Sequence, residues 1–148
     1  MEIVSLYNAE IIDLGKAKLN KIGITEDFVG RGNGYSKGGR KVKFHFVAIP
    51  RPGLSNIIKT IENDLKIELA PYFCKFNGIN STEYIDPKIH KTMTLKKLEK
   101  ITRKQIEKYP GRIFIVKKKW LPLTLDTLDL KDFVANALKY PDKYLEGF

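Results

Sequence analysis

The hydrophobic periodicity of this 148-residue chain switches repeatedly between strand-like and helix-like spacing, and the order of the switches constrains the fold most strongly. KVKFHFVAIP alternates from Val42 onward, which predicts a strand that ends at Pro50. LSNIIKTIENDL then places isoleucines and leucines at helical spacing. This segment predicts a helix with Ser55 as its N-cap.

The same two periods recur further along the chain. Residues 68–76 and 88–95 predict two more strands, with a loop over 79–87 between them. LKKLEKITRKQIEKY, which begins at Leu95, predicts an amphipathic helix with a very basic outer face. RIFIV, which begins at Arg112, predicts a fourth strand that is central or buried on both faces.

Strand, helix, strand, strand, helix and strand, in that order, are the elements of the ferredoxin-like fold. We therefore expect an α+β fold with a four-stranded antiparallel sheet and two helices on one face. Residues 1–40 are expected to add N-terminal strands, and LDLKDFVANALKYPDKYL adds a C-terminal helix that Pro141 interrupts. The length fits a single domain over residues 1–148, with its core over 41–148.

GRGNGYSKGGR, residues 30–40, contains five glycines and three cations. Glycine at this density opposes regular structure, so we expect a mobile basic loop. The segment lacks the Gly-Lys-Ser/Thr ending of a phosphate-binding P-loop. Two interpretations stay open, namely a loop that wraps phosphates when a partner binds and a disordered insertion.

The net charge of +10 is concentrated in two blocks. Between Lys88 and Lys119 there are twelve Lys/Arg and two acids, and between Phe28 and Ile61 there are seven Lys/Arg and no acid. Such segregation indicates a surface that meets a polyanion. Lysine-rich, solvated helix faces are the alternative.

The charge pattern predicts a protein that binds single-stranded DNA or RNA on a basic sheet face. Aromatic residues on the strands, Phe44, Phe46, Tyr72 and Phe76, could stack on bases, although core packing is the favoured interpretation for these rings. The cations predicted to contact nucleic acid are Arg31, Lys37, Arg40, Lys41, Lys43, Lys88, Lys91, Arg103, Lys104, Arg112, Lys117, Lys118 and Lys119.

Two short segments, PKIH ending at His90 and YPDK beginning at Tyr140, resemble motifs of the HUH rolling-circle replication initiators. That family combines a ferredoxin-like sheet, a histidine pair that holds a divalent metal, and a Tyr-x-x-Lys helix. In this chain a lysine stands at the first histidine position. The resemblance implies a Mg²⁺- or Mn²⁺-dependent nicking endonuclease with His90 as a metal ligand. Tyr140 or Tyr144 would be the nucleophile, with Lys143 beside it.

Two further functions remain open. His90-Lys91-Thr92 matches the His-x-Thr motif of two-histidine phosphoesterases. That family needs two such motifs, and the other candidate triplet ends at Val47, which has no hydroxyl group. A basic protein can also bind an acidic protein partner, and charge alone does not separate that function from nucleic-acid binding. No cofactor is expected apart from the divalent metal of the nuclease hypothesis.

Cysteine content and hydropathy bear on the compartment. The single cysteine, Cys74, excludes an internal disulfide and a cysteine-based zinc site, and its apolar neighbours predict a buried, inert thiol. No apolar run approaches ~20 residues, and the N-terminus lacks the basic segment of a signal peptide. We therefore expect a cytoplasmic protein that does not contact membranes.

Overall fold

The structure of this chain, a computed structural model, describes residues 3–13, 17–25, 40–76, 79–124 and 130–147. These residues form a mixed α+β fold. Two single 3₁₀ turns, Ala70–Tyr72 and Lys118–Trp120, accompany the strands and helices. In chain order the elements are β1 (Ser5–Asp13), β2 (Ala17–Thr25), β3 (Arg40–Pro50), α1 (Ser55–Leu69), β4 (Phe73–Phe76), β5 (Ile79–Ile85), α2 (Leu95–Ile106), β6 (Ile113–Ile115), β7 (Leu123–Thr124), α3 (Leu130–Lys139) and α4 (Pro141–Tyr144).

The strands form one antiparallel sheet in the order β4-β5-β2-β1-β3-β6, and β7 pairs with the first half of β3. The N-terminal hairpin β1–β2 therefore lies in the middle of the sheet, between β5 and β3. β6 is the last strand of this order, so of the two alternatives expected for RIFIV, a central position or burial on both faces, the central position is wrong. Its side chains nevertheless reach both faces, because Ile113 packs on one core and Phe114 on the other.

A β-bulge in β3 changes which side chains point to which face. Asn8 of β1 pairs with Phe46, and the next residue, Ala9, pairs with Phe44, so His45 is an extra residue in β3. A bulge of this kind shifts the alternation by one residue. Phe44 and Phe46, which strict alternation places on one face, are therefore buried in opposite cores.

Both faces of the sheet carry helices, which creates two hydrophobic cores. α1 and α2 cover one face together, as expected, and α3 covers the other. We call these the α1/α2 face and the α3 face. The α1/α2 core includes Leu6, Ile22, Phe46, Ile58, Ile61, Leu65 and Leu98, and the α3 core includes Tyr7, Phe44, Val47, Val116, Phe133, Ala137 and Leu145.

The third predicted strand is misplaced. Residues 88–95 do not form a strand, and β5 lies within the segment 79–87 that was expected to be a loop. Asp86 turns the chain after β5, because its carboxylate accepts the Lys88 N–H at 2.8 Å and its carbonyl oxygen accepts the N–H groups of Ile89 and His90. Ile89 is 66% exposed whereas Met93 is buried, so the apolar residues of 88–95 do not share one buried face.

The helix predictions hold better than the strand predictions. α1 begins at Ser55, but Ser55 is not its N-cap; its hydroxyl oxygen instead accepts the Val4 N–H at 3.3 Å. α1 and the following 3₁₀ turn extend to Tyr72, so the strand predicted over 68–76 is shortened to β4. The C-terminal helix is interrupted at Tyr140, immediately before Pro141, as expected.

Cys74 lies in β4 and is half-buried. Burial, and then the negative charge of Asp86, raise the pKa of the Cys74 thiol. A raised pKa reduces the thiolate fraction at neutral pH, which supports the expected inert thiol.

Candidate nucleic-acid interface

The chain after β6 and the C-terminal segment meet at one edge of the sheet. Val116 forms an isolated antiparallel bridge with Leu145, and both side chains are buried in the α3 core. The Lys117 N–H then donates to the Tyr144 carbonyl oxygen at 2.8 Å. These contacts place residues 117–120, which contain three consecutive lysines, against α4.

Trp120 is the aromatic centre of this region. Its indole Nε1–H donates to the Lys143 carbonyl oxygen at 3.0 Å, and its ring centroid lies 4.7 Å from that of Tyr144. Tyr144 in turn contacts Phe133 edge to face at 5.6 Å, which connects it to the α3 core. Trp120 remains partly exposed, so its ring is held in place while part of it faces solvent.

Three lysine ammonium groups lie over the rings of this region. Lys119 Nζ is 5.3 Å from the Trp120 centroid, and Lys143 Nζ is 5.8 Å from Trp120 and 5.3 Å from Tyr144. Lys139 Nζ is 5.4 Å from the ring of Tyr140, which is 49% exposed. These are cation–π distances. We call this surface the C-terminal corner; it consists of Lys117, Lys118, Lys119, Trp120, Lys139, Tyr140, Lys143 and Tyr144.

The cations of the C-terminal corner differ in how far the protein already neutralises them. Lys118 Nζ lies 3.1 Å from Glu99 Oε1, and Lys117 Nζ donates to the Asp142 carbonyl oxygen. By contrast, no carboxylate of the described ranges lies within ion-pair distance of Lys119, Lys139 or Lys143. Their charge is therefore available to an anion from solution.

Arg103, predicted to contact nucleic acid, is committed to internal ion pairs. Its Nη1 and Nη2 groups donate to the two carboxylate oxygens of Glu146 at 2.7 and 2.9 Å, and its Nε donates to Glu99 at 2.8 Å. The bond to Glu146, ahead of the bond to Glu99, raises the pKa of Arg103 above its usual range. Arg103 thus ties α2 to the C-terminal segment, and three of its N–H donors are already in use.

The other predicted cations lie outside the C-terminal corner. Lys88 and Lys91 are exposed in the turns after β5, and Lys104 is exposed beside a groove between α1 and α2. Arg112 is exposed just before β6, at the opposite end of that strand from Lys117. Lys43 is exposed on β3. Arg31 and Lys37 lie outside the described residues. Arg40 and Lys41 lie in β3, but their side chains are outside the description.

The residues suggested by the nuclease resemblance do not meet. His90 lies 5.3 Å from the ring of Tyr72, which packs on the α1/α2 core. Tyr144 packs on the α3 core, on the opposite face of the sheet. Within the described ranges no group of three or more His, Cys, Asp or Glu side chains could hold a metal ion. Tyr140, Lys143 and Tyr144 instead belong to the C-terminal corner.

Trp120, the aromatic centre of the C-terminal corner, was not among the aromatic residues predicted to stack on bases. Phe44 and Phe46 are 2% and 1% exposed, which confirms core packing for those two rings. Tyr72 is half-buried, and the Phe76 side chain lies outside the description. Trp120 follows directly after Lys117–Lys119 and is the only tryptophan of the chain, and these two facts are the signal that was available in the sequence.

Comparison with protein-family models, with curated proteins and with solved structures finds no match to this chain. None of the helices in the described ranges is long and apolar enough to cross a membrane.

Proposed function

We propose that the chain binds single-stranded nucleic acid through the C-terminal corner. The observation that carries this proposal is the position of Lys119, Lys139 and Lys143, which have no acidic partner in the described ranges and lie beside accessible Trp120 and Tyr140. Lysines neutralise phosphates, and aromatic faces stack on bases, so the two groups together suit a nucleic-acid strand.

A single strand fits this surface better than a duplex. A duplex keeps its bases stacked on one another and offers mainly phosphates to a protein surface. Only a single strand, a loop or an end presents base faces to rings such as Trp120 and Tyr140.

The fold supports a finer description as part of the same proposal. β3, α1, β4, β5, α2 and β6 follow one another in the ferredoxin-like order, with β4-β5 and β3-β6 paired as that fold requires. The hairpin β1–β2 would then be an insertion between β5 and β3. The nucleic-acid strand would bind at the C-terminal corner, beside the sheet. It would not bind across a sheet face, because α1 and α2 pack on one face and α3 packs on the other.

The nicking endonuclease and the acidic-protein partner stay predictions without a supporting contact in the described residues. An acidic protein would use the same lysines, but it would not need the exposed rings. The difference between stacking and charge pairing therefore separates the two kinds of partner experimentally.

The test uses the fluorescence of Trp120, because it is the only tryptophan. Titration with an oligonucleotide of about 12 nucleotides should quench this fluorescence, and the affinity should fall steeply with salt. Polyglutamate of matched charge is the control, and it should leave the fluorescence nearly unchanged. DNA and RNA that neither quench Trp120 nor bind more weakly at higher salt would overturn the proposal. Binding of polyglutamate by a protein that binds neither DNA nor RNA would favour the protein partner.

A further inference from the structure

A cavity of about 310 Å³ lies between the bulge of β3 and the first turn of α2, next to the C-terminal corner. Lys118 belongs to both the corner and the cavity lining, so the two are continuous. The volume is at the lower end of the usual range for small-molecule pockets, about 300 to 1,000 Å³. The apolar part of its wall consists of Phe46, Leu95, Leu121 and Pro122.

Asn8 contributes an unpaired acceptor to this cavity. Its side chain is 1% exposed, and its Nδ2 donates to Thr102 Oγ1 at 3.2 Å. Thr102 uses its own proton to donate to the Leu98 carbonyl oxygen at 2.8 Å, which fixes the orientation of the amide. Among the described residues, Asn8 Oδ1 therefore has no hydrogen-bond partner. A buried acceptor without a donor is unfavourable, which makes a ligand N–H at this position favourable.

His45, the extra residue of the bulge, contributes a second unpaired atom. In the described part of the chain its Nε2 is buried without a hydrogen-bond partner; Glu10 Oε1, at 3.7 Å, is too distant for a hydrogen bond but lies within ion-pair distance. Bulges often re-aim a side chain next to a functional site. The bulge thus places a ring nitrogen, which can accept or donate, on the lining that also includes Asn8.

Among the charged side chains that line the cavity in the described ranges, one cation has no carboxylate partner. Lys118 and Arg103 both contact Glu99, and Arg103 also pairs with Glu146, so two cations and two carboxylates compensate one another. Lys96, in the first turn of α2, is exposed and has no carboxylate within ion-pair distance in the described ranges. An apolar slot with two unpaired hydrogen-bonding atoms and a lysine beside it suits a flat, N–H-bearing group that carries a phosphate.

We propose that this cavity receives one nucleobase of the bound strand. Asn8 Oδ1 accepts an N–H from the base edge, His45 Nε2 makes the second polar contact, and Lys96 contacts the adjoining phosphate. The proposal rests on the proposed function, and it adds base recognition to a surface that otherwise binds without sequence preference.

The test compares the affinities of base-containing and abasic oligonucleotides of about 12 nucleotides. The base-containing strands are homopolymers of adenine, cytosine and thymine. All strands carry a fluorescent label, and anisotropy measures their binding. The substitution Asn8→Leu removes the unpaired acceptor with little change in side-chain size. We expect it to weaken binding of the preferred homopolymer about tenfold and to leave the abasic strand unaffected. Asn20→Leu is the matched control, because Asn20 is also buried but bonds to the Met93 carbonyl oxygen, away from the cavity.

Thermal unfolding establishes that each variant is folded. If Asn8→Leu does not fold, His45→Leu replaces it as the cavity variant. The inference is overturned if wild-type protein binds both strands and the cavity variants change the two affinities equally or not at all. If wild-type protein binds neither strand, the proposed function itself has failed.

Discussion

Lys21 and the lysines of the C-terminal corner carry the same charge in opposite surroundings. Lys21 is 1% exposed in β2, where its Nζ lies 2.5 Å from Glu83 and donates to the Tyr7 hydroxyl at 3.1 Å. Lys119 and Lys143 are exposed and face aromatic rings, and no carboxylate of the described ranges lies within ion-pair distance of either. The buried ammonium is neutralised inside the fold, whereas the exposed ones retain their charge for a partner.

The difference shows what net charge does and does not indicate. A charge count treats Lys21, Arg103 and Lys119 alike, yet the first two are tied to carboxylates that they stabilise within the protein. A buried ammonium needs such a partner, because desolvation otherwise disfavours its charged form. The cations that report on function are the ones that the fold leaves unpaired.

The largest expected effect concerns the buried pair. Glu83→Ala leaves the Lys21 ammonium buried without its carboxylate, so the free energy of unfolding should fall by about 3 kcal/mol. Urea denaturation measures this loss, and affinity for single-stranded DNA should stay unchanged in the folded protein. Glu107→Ala, at an exposed position, is the control and should cost little. A Glu83→Ala protein as stable as wild type would remove the contrast between the two regions.

The next effect concerns the aromatic part of the corner. Trp120→Leu should weaken single-strand binding about tenfold, because stacking on one ring contributes about 1 to 3 kcal/mol per base. Anisotropy of a labelled oligonucleotide measures the affinity, since the variant lacks tryptophan. Tyr72→Leu, a half-buried aromatic residue on the α1/α2 face, is the matched control and should not weaken binding. Equal losses in both variants would mean that aromatic residues act only through stability.

Much of the fold was predictable because the apolar spacing of a helix can be recognised from its own segment, without information about the elements it packs on. α2 and α3 were recognised from their apolar faces, and the break at Pro141 from the chemistry of proline. β5 was missed because INSTEYI is mostly polar, while residues 88–95 alternate although only Met93 of their alternating apolar residues is buried and Ile89 is exposed. The position of β1–β2 in the middle of the sheet depends on long-range pairing that no local pattern encodes.

The site was predictable only in its parts. Lys117–Lys119 and Tyr140–Lys143 were each singled out, but their proximity follows from the bridge between Val116 and Leu145, more than twenty residues apart in the chain. The alternating pattern around His45 gives no sign of the bulge that re-aims this residue, because the bulge is a feature of pairing with β1. Sequence patterns thus identified chemical groups, and tertiary contacts decided which of them share a surface.

The most direct test of the account is the salt dependence of single-strand affinity in two charge-matched variants. One replaces Lys119, Lys139 and Lys143 by alanine, and the other replaces Lys59, Lys88 and Lys108, which are exposed elsewhere. Each phosphate contact contributes about 0.7 to the slope of log affinity against log salt, so the corner variant should lose about 2 from that slope. The control variant should lose well under 1. Equal losses would show that binding follows total charge rather than the C-terminal corner, and the account would be wrong.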